Sequence, residues 1–330
     1  MDDFLLFFLP VVAGAAVTYV MLPVSMWLSR RTGAVGLDVH KPSPYPVPKL
    51  GGLALVFGGS AGMIVYWFLT GNFFLTSLFL SSFIAAVIGL VEDFREINPV
   101  VKPLLLTFAG VPVVVAGVYS PNPVLPFVGA TRLTILYPLL VLIAFAVVCN
   151  AVNSVDVLNG SMALTSLASL LPLTIVSYLE SKPEVFMVCL VSAAVLTVFL
   201  TKNFYPAKTF AGNVGSLYMG ALITFVAVYG RMEVVAIVAL MPQIMNEFHI
   251  IYSLRGLRSG KAAAVRPTIV SSSLIGANPD KRAPITLLRL VTAGKRLTEK
   301  EAVSRLTILC LYSSFLSLFT YFVLIRGLRF

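Results

Sequence analysis

Charge is scarce in this chain. Of its 330 residues only 12% are Asp, Glu, Lys or Arg, against about a quarter in a soluble domain. With 58% hydrophobic residues, a soluble protein of this composition would expose large apolar patches. A water-soluble class is therefore excluded, and the chain reads as a polytopic α-helical membrane protein. Histidine is nearly absent: His40 and His249 are the two present. Cysteine is limited to Cys149, Cys189 and Cys310, all in or beside apolar runs. An odd count at spacings that match no metal motif reads as small core residues. Acids are outnumbered, 14 to 24, for a net charge of +10. Nucleic acid is a poor explanation of that excess, because the basic residues sit in loops between apolar runs and not on one soluble face.

What is abundant is hydrocarbon in long runs. A span needs about 20 mainly apolar residues. Ten runs qualify: 4–29, 51–70, 74–91, 103–119, 132–149, 161–179, 184–201, 211–229, 233–252 and 305–325. The first is too long for a signal-peptide core and lacks a cleavage-like end, so it counts as a span. No block repeats visibly, and nothing marks a second domain. The expectation is one integral-membrane domain over 1–330, all-α, with a long hydrophilic loop at 253–304. The loops after the odd-numbered runs hold 19 of the 24 Lys and Arg residues, the opposite side 5. That bias puts the odd loops in the cytoplasm and both termini outside, which agrees with Asp2 and Asp3 ahead of the first run.

The same loops carry the unusual residues. The stretch GLVEDFREINPVVK (89–102) breaks two apolar runs with adjacent acids, Glu92 and Asp93, and ends on Lys102. A carboxylate costs about 2.5–3.5 kcal/mol at the centre of a membrane helix, so the pair belongs at a surface, a cavity or a cation. Magnesium prefers oxygen ligands, usually one or two protein groups with substrate phosphates and water. Glu92, Asp93, Asn150, Asn153, Asp156 and Asn213 offer such oxygens at loop–helix junctions. Lys41, Lys102 and Arg266 offer the positive charge that phosphoryl transfer needs. Gly160, Gly212 and Gly215 permit close backbone approach to an anion. Read from the residues, this is a membrane-embedded phosphoryl-transfer site, although each group alone also fits a helix cap or a solvated loop. Polar groups gathered on one face favour an enzyme over a transporter, which would carry them at mid-membrane.

In their order and confinement to alternate loops, six pieces resemble one family: GLDVHKPSPYPVPKLGG (36–52), GLVEDF (89–94), NAVNSVDVLNG (150–160), FYPAKTFAGNVGS (204–216), MPQIMN (241–246) and VRPT (265–268). The chain is similar to the polyprenyl-phosphate N-acetylhexosamine-1-phosphate transferases, and within them to the archaeal and eukaryotic branch that makes dolichyl-diphosphate N-acetylglucosamine. The resemblance implies ten spans with a cytoplasmic active site in a lipid bilayer. The implied substrates are a UDP-N-acetylhexosamine and a polyprenyl or dolichyl phosphate. Mg2+, with Mn2+ as a substitute, is the implied cofactor, and a homodimer is implied as well.

The resemblance also implies residue roles. Asp93 and Glu92 stand where the family activates the acceptor phosphate, and Lys102 where it holds the diphosphate. Asn153 and Asn213, with Asp156, fall on magnesium-binding positions. Asn159 falls on one that recognises uracil. Arg266, Lys41 and Asn246 fall on substrate-contacting elements, and Asn246 serves equally as an inter-helix hydrogen-bonding residue. Two departures stand out. Asn213 occupies a position where the family usually has Asp, and Glu92 one where it usually has Asp. They leave open a slow enzyme, an altered metal or substrate, or an inactive homologue. The last cytoplasmic loop lacks a histidine cluster, which argues against a muramoyl-pentapeptide substrate.

Overall fold

The computed structural model describes residues 3–41, 43–257 and 265–326. Asp2, Arg258, Lys261 and Arg329, which enter the charge reading above, lie outside these. In chain order the elements are α1 (Asp3–Thr32), β1 (Val35–Leu37), β2 (Pro46–Pro48), α2 (Gly52–Thr70), α3 (Phe74–Phe94), α4 (Val101–Thr107), α5 (Val111–Val115), β3 (Val124–Leu125) and β4 (Gly129–Ala130). There follow α6 (Leu136–Ser154), α7 (Ser161–Leu179), α8 (Pro183–Asn203), α9 (Gly212–Tyr229), α10 (Glu233–Ala239), α11 (Met241–Ser253), β5 (Thr268–Ser271), β6 (Leu274–Ala277), α12 (Leu287–Val291) and α13 (Glu299–Thr320).

Among the described residues, eight helices are long and apolar enough to cross a membrane. Two of the ten apolar runs behave differently, and each has a proline next to its break. The run 233–252 is divided into α10 and α11, bent by 66°. Pro242 lies in the first turn of α11, where it has no N–H to donate back across the joint to α10. The run 103–119 gives α4 and α5 joined by a 3-10 turn at Phe108–Gly110, with Pro112 at the start of α5. Together α4 and α5 cover Val101–Val115, about 22 Å of helix at 1.5 Å per residue, short of the ~30 Å hydrocarbon core.

Helix α9 is the axis of the bundle. It packs on α3 and α6 and also touches α2, α7, α8 and α10, and 89% of its span is buried, against 22% for α1. Its small residues let neighbouring backbones close in. Serines fasten α13 to its neighbours: Ser313 and Ser317 donate to Val238 O and Val235 O of α10, and Ser314 to Ala168 O of α7. Large apolar side chains such as Tyr19, Phe68, Phe83 and Phe315 face outward, as a helix bundle in hydrocarbon requires.

The alternate loops gather at opposite ends of the bundle. At one end Arg231 bonds Ser120, Tyr137 bonds Glu233, and Lys182 Nζ donates to Gly230 O at 2.7 Å. At the other end the loops after α1, α3, α6 and α8 meet. The hydrophilic segment also folds against that end. The β5–β6 hairpin pairs antiparallel, and a small second core joins Leu158, Ile275, Leu287, Leu297 and Leu306.

Candidate active site

Glycine brings the two halves of the site together. At Gly89 in α3, an added Cβ would lie 2.4 Å from Asn213 O, so α3 and the start of α9 touch backbone to backbone. Gly212 has φ +64°, and a Cβ there would lie 2.6 Å from Asp93 Oδ2; both the conformation and the space demand glycine. Asp93 thus sits at the amino end of α9. Its Oδ1 accepts from Asn213 N at 2.9 Å and Asn213 Nδ2 at 3.1 Å, and its Oδ2 from Val214 N at 3.0 Å. Lys49 Nζ lies 2.9 Å from Oδ1, and the Asp93 side chain is fully buried. The carboxylate takes up first-turn N–H groups and meets the positive end of the helix dipole.

Lys49 is aimed by its neighbours. Ser29 Oγ accepts from Lys49 N at 2.8 Å and Leu50 N at 3.1 Å, and Phe210 N donates to Pro48 O at 2.8 Å. The end of α1, strand β2 and the approach to α9 are thereby one unit.

A directed chain of hydrogen bonds runs from Lys102 to Asp93. Lys102 Nζ pairs with Glu92 Oε2 at 2.7 Å and donates to Asn153 Oδ1 at 3.2 Å. Asn153 Nδ2 donates to Asn213 Oδ1 and to Ser216 Oγ, both at 2.7 Å. Asn213 Nδ2 then donates to Asp93. A lysine can only donate and an ionised carboxylate can only accept, so the two ends of the chain set the orientation of both amides. An aspartate at 213 would break this polarity.

Around this chain lie three adjoining cavities. The first, about 320 Å³, includes Asp38, His40, Lys49, Asn153, Asp156, Asn159, Phe210 and Asn213 in its lining. The second, about 510 Å³ and mostly apolar, includes His40, Ser154, Asn246, Arg266 and Thr286. The third, about 620 Å³ and polar, includes Lys49, Glu92, Lys102, Asn150, Asn153, Asn213 and Glu247. The Asn153–Ser154 end of α6 is where they meet.

The remaining expected residues divide between open and occupied. Asp156 makes no side-chain hydrogen bond or ion pair among the described residues and faces the first cavity. Burial, reinforced by the Asp93 charge and opposed by Lys49, pushes its pKa up to about 7. Arg266 is exposed at the second cavity. Asn159 is buried and committed: its Nδ2 donates to Asp38 Oδ2 at 3.2 Å and its Oδ1 accepts from Ala207 N at 2.6 Å. Lys41 is also committed, paired with Asp38 at 3.1 Å and with Glu299, its Nζ 4.1 Å from the Tyr205 ring centre. Burial works against the Lys41 charge, but the Glu299 and Asp38 carboxylates outweigh it and raise its pKa. Asn246 bonds Ser154 through Nδ2 and accepts from Leu287 N at 2.7 Å, which ties α11 to α6 and α12.

Four residues escaped the sequence reading of the site. Lys49 was visible inside PVPKLGG but had no partner until Asp93 arrived from α3. Asp38 lay in the same loop. Glu299 is the first residue of α13 after the capping box of Thr298 and Glu301, and it accepts from Asn159 N at 2.8 Å. Glu247 could have been found as a lone acid inside an apolar run, a recognised functional signal.

Among the described residues no group of three His, Cys, Asp or Glu side chains is placed to hold a metal ion. The donor set that exists is Asp156 with the amide oxygens of Asn153 and Asn213, all on the first cavity. These are hard oxygen donors with one open carboxylate, which fits a magnesium-type ion whose other ligands come from substrate phosphates and water.

The Glycosyl transferase family 4 model matches residues 75–231. A Sulfolobus acidocaldarius protein named, by inference, as a UDP-N-acetylglucosamine–dolichyl-phosphate N-acetylglucosaminephosphotransferase is 30% identical over 72% of this chain and 75% of its own length. The chain belongs to glycosyl transferase family 4. A Saccharolobus solfataricus protein with the same inferred name is 27% identical, covering 72% of this chain and 76% of the relative. A Bacillus subtilis protein named, again by inference, as an undecaprenyl-phosphate N-acetylglucosaminyl 1-phosphate transferase is 28% identical, over 64% of this chain and 59% of the relative. As a member of family 4 with relatives of these names, this chain is a membrane phosphoglycosyl transferase.

Proposed function

We propose that this protein transfers N-acetylglucosamine-1-phosphate from UDP-N-acetylglucosamine to a polyprenyl phosphate of the dolichyl type, releasing UMP. The observation that carries the reading is the Lys102–Asn153–Asn213–Asp93 chain, flanked by Lys49 and bordered by three cavities. An oxygen of the lipid phosphate attacks the β-phosphorus of the nucleotide sugar. A new P–O bond forms, and the bond from the β-phosphorus to the oxygen bridging to the α-phosphate breaks. Lys49 and Lys102 offset the charge spreading over the phosphoryl oxygens. Glu92 holds Lys102 in place, and Asp93 holds the start of α9 so that Asn213 faces the reacting groups. Asn153, Asn213 and Asp156 would hold Mg2+ or Mn2+, which when bound neutralises diphosphate charge. The first cavity suits the nucleotide, with Phe210 as an aromatic wall. The second, with Arg266 and hydroxyls on an apolar lining, suits the N-acetylated sugar. The reaction takes place on the cytoplasmic face, in keeping with the lysine and arginine bias of these loops.

The test is UMP release by purified protein given UDP-N-acetylglucosamine, dolichyl phosphate and Mg2+, beside Lys102→Met. Release that needs both substrates and falls at least 100-fold in the variant is the expected result. Nucleotide-sugar binding without release would direct attention to another acceptor, or to a catalytically impaired homologue. Release with a different UDP-N-acetylhexosamine alone would keep the chemistry and change the sugar. No nucleotide binding would overturn the reading.

A further inference from the structure

We propose that Glu247 is the proton acceptor for the lipid phosphate in the third cavity, an inference that rests on the transferase reading above. Helix α11 bends 66° away from α10 and packs on α6 and α13. Glu247 lines the third cavity with Glu92, Lys102 and Asn153. The Lys102 charge reaches it, yet it has no hydrogen-bond or ion-pair partner among the described residues. Glu247 is the one acid of α11, and an acid within a membrane segment is costly and a functional-site candidate by default.

The other carboxylates are occupied or elsewhere. Asp93 is buried, with both oxygens bonded. Glu92 spends an oxygen on Lys102. Glu96 has a partner of its own. Asp156 lines the first cavity and not the third. Among the described residues, the charged groups lining this cavity with Glu247 are Lys49 from the β2–α2 junction, Glu92 from α3, Glu96 beyond it, and Lys102 from α4. Helix α6 presents only Asn150, Asn153 and Ser154, α9 presents Asn213, and α10 and α13 contribute nothing to this cavity.

The charges explain why a proton must move. Among the described residues the lining holds two lysines and three glutamates, so a phosphate dianion entering it meets no excess of positive charge. A phosphate monoester has a second pKa of about 6, so part of it arrives as the monoanion. The monoanion passes its proton to a Glu247 carboxylate oxygen. The product is a phosphate dianion, held by Lys102 and ready to attack, and a neutral glutamic acid. After the transfer the proton leaves to water through the open cavity and the carboxylate is restored.

The experiment follows kcat against pH in the full-length protein in lipid nanodiscs, with saturating UDP-N-acetylglucosamine and dolichyl phosphate, for the unmodified protein, Glu247→Gln and Glu247→Asp. We expect Glu247→Gln to lose about tenfold at pH 5, where a phosphate with a second pKa of about 6 is about nine-tenths monoanion. Its acid limb should move up toward the pKa of the bound phosphate, with most of the rate regained above it. Glu247→Asp keeps a carboxylate and should keep the original limb. If Glu247→Gln does not fold, judged by nucleotide-sugar binding, Glu247→Ala against Glu247→Asp makes the same comparison. A loss of equal size at every pH, or no loss, overturns the inference while leaving the transferase reading intact. Failure of the unmodified protein to release UMP sinks both.

Discussion

The side-chain amide of Asn213 donates to Asp93 Oδ1 over 3.1 Å. Asn213 thereby stands between a carboxylate on one side and the Asn153 amide on the other, and its own amide satisfies both. Asn213→Asp would set two carboxylates against each other and leave the α9 cap strained. We expect a loss of about 1–3 kcal/mol, the cost of an unsatisfied buried polar pair. The new carboxylate would have a raised folded-state pKa, so the loss should shrink as the pH is lowered. Thermal unfolding in detergent at several pH values measures this. A variant as stable as the parent at neutral pH would mean that the chain of amides does not constrain position 213.

Asp93→Asn should cost stability as well as activity. An amide cannot accept from both the Asn213 and Val214 N–H groups, because its nitrogen would face one of them. A drop of about 1–3 kcal/mol is expected from the donor left unmet. An inactive Asp93→Asn that unfolds at the parent's temperature would instead point to a purely chemical role.

Lys49→Met leaves the fully buried Asp93 carboxylate its three N–H partners but no cation, so stability should fall by about 3 kcal/mol. Nucleotide-sugar affinity should fall by about 10–100-fold, since a charge-assisted hydrogen bond contributes about 1.5–3 kcal/mol. Calorimetric titration with UDP-N-acetylglucosamine reads the difference, and unchanged affinity would remove Lys49 from the site.

Divalent-cation binding should depend on the nucleotide sugar. Asp156 is the one open carboxylate of the donor set, too little for tight binding without substrate oxygens. Titration with Mn2+ followed by electron paramagnetic resonance should show weak binding to the protein alone. Binding at least tenfold tighter is expected with UDP-N-acetylglucosamine present, and Asp156→Asn should erase the gain.

His40 should make the fold acid-sensitive. Burial first, and then the Lys41 and Arg266 charges, lower its pKa from 6.5 to about 4 against the pull of Asp38. The unfolded chain takes up this proton near pH 6.5 and the folded one only near pH 4. Stability from this group is therefore fully present above pH 6.5 and declines as pH falls toward 4, by at most about 3 kcal/mol. His40→Gln should flatten that part of the stability profile; an unchanged slope would assign the acid sensitivity to other groups.

The membrane class, the helical architecture and the alternation of polar loops were all legible in the sequence. Each rests on a property that neighbouring residues share: apolar run length, or charge summed over a loop. Proline alone did not locate the breaks at Pro112 and Pro242, since Pro10 and Pro23 lie inside an unbroken α1 and Pro172 inside α7. The Glu92–Asp93 pair, Lys102, Asn153 and Asn213 could be singled out because their types are unusual beside hydrocarbon. Their mutual roles could not. Only the tertiary structure decided that Asp93 closes the start of α9, and that Lys49 comes to meet it from 44 positions earlier in the chain. Only it showed that Asn159 and Lys41 spend their polar atoms on Glu299 and Asp38 while Asp156 and Glu247 stay open. The physical reason is that a hydrogen bond is a matter of a few tenths of an ångström between groups from distant segments. Run length and loop charge survive any packing of the helices, whereas a donor's partner is fixed only when α3 and α9 meet at Gly89.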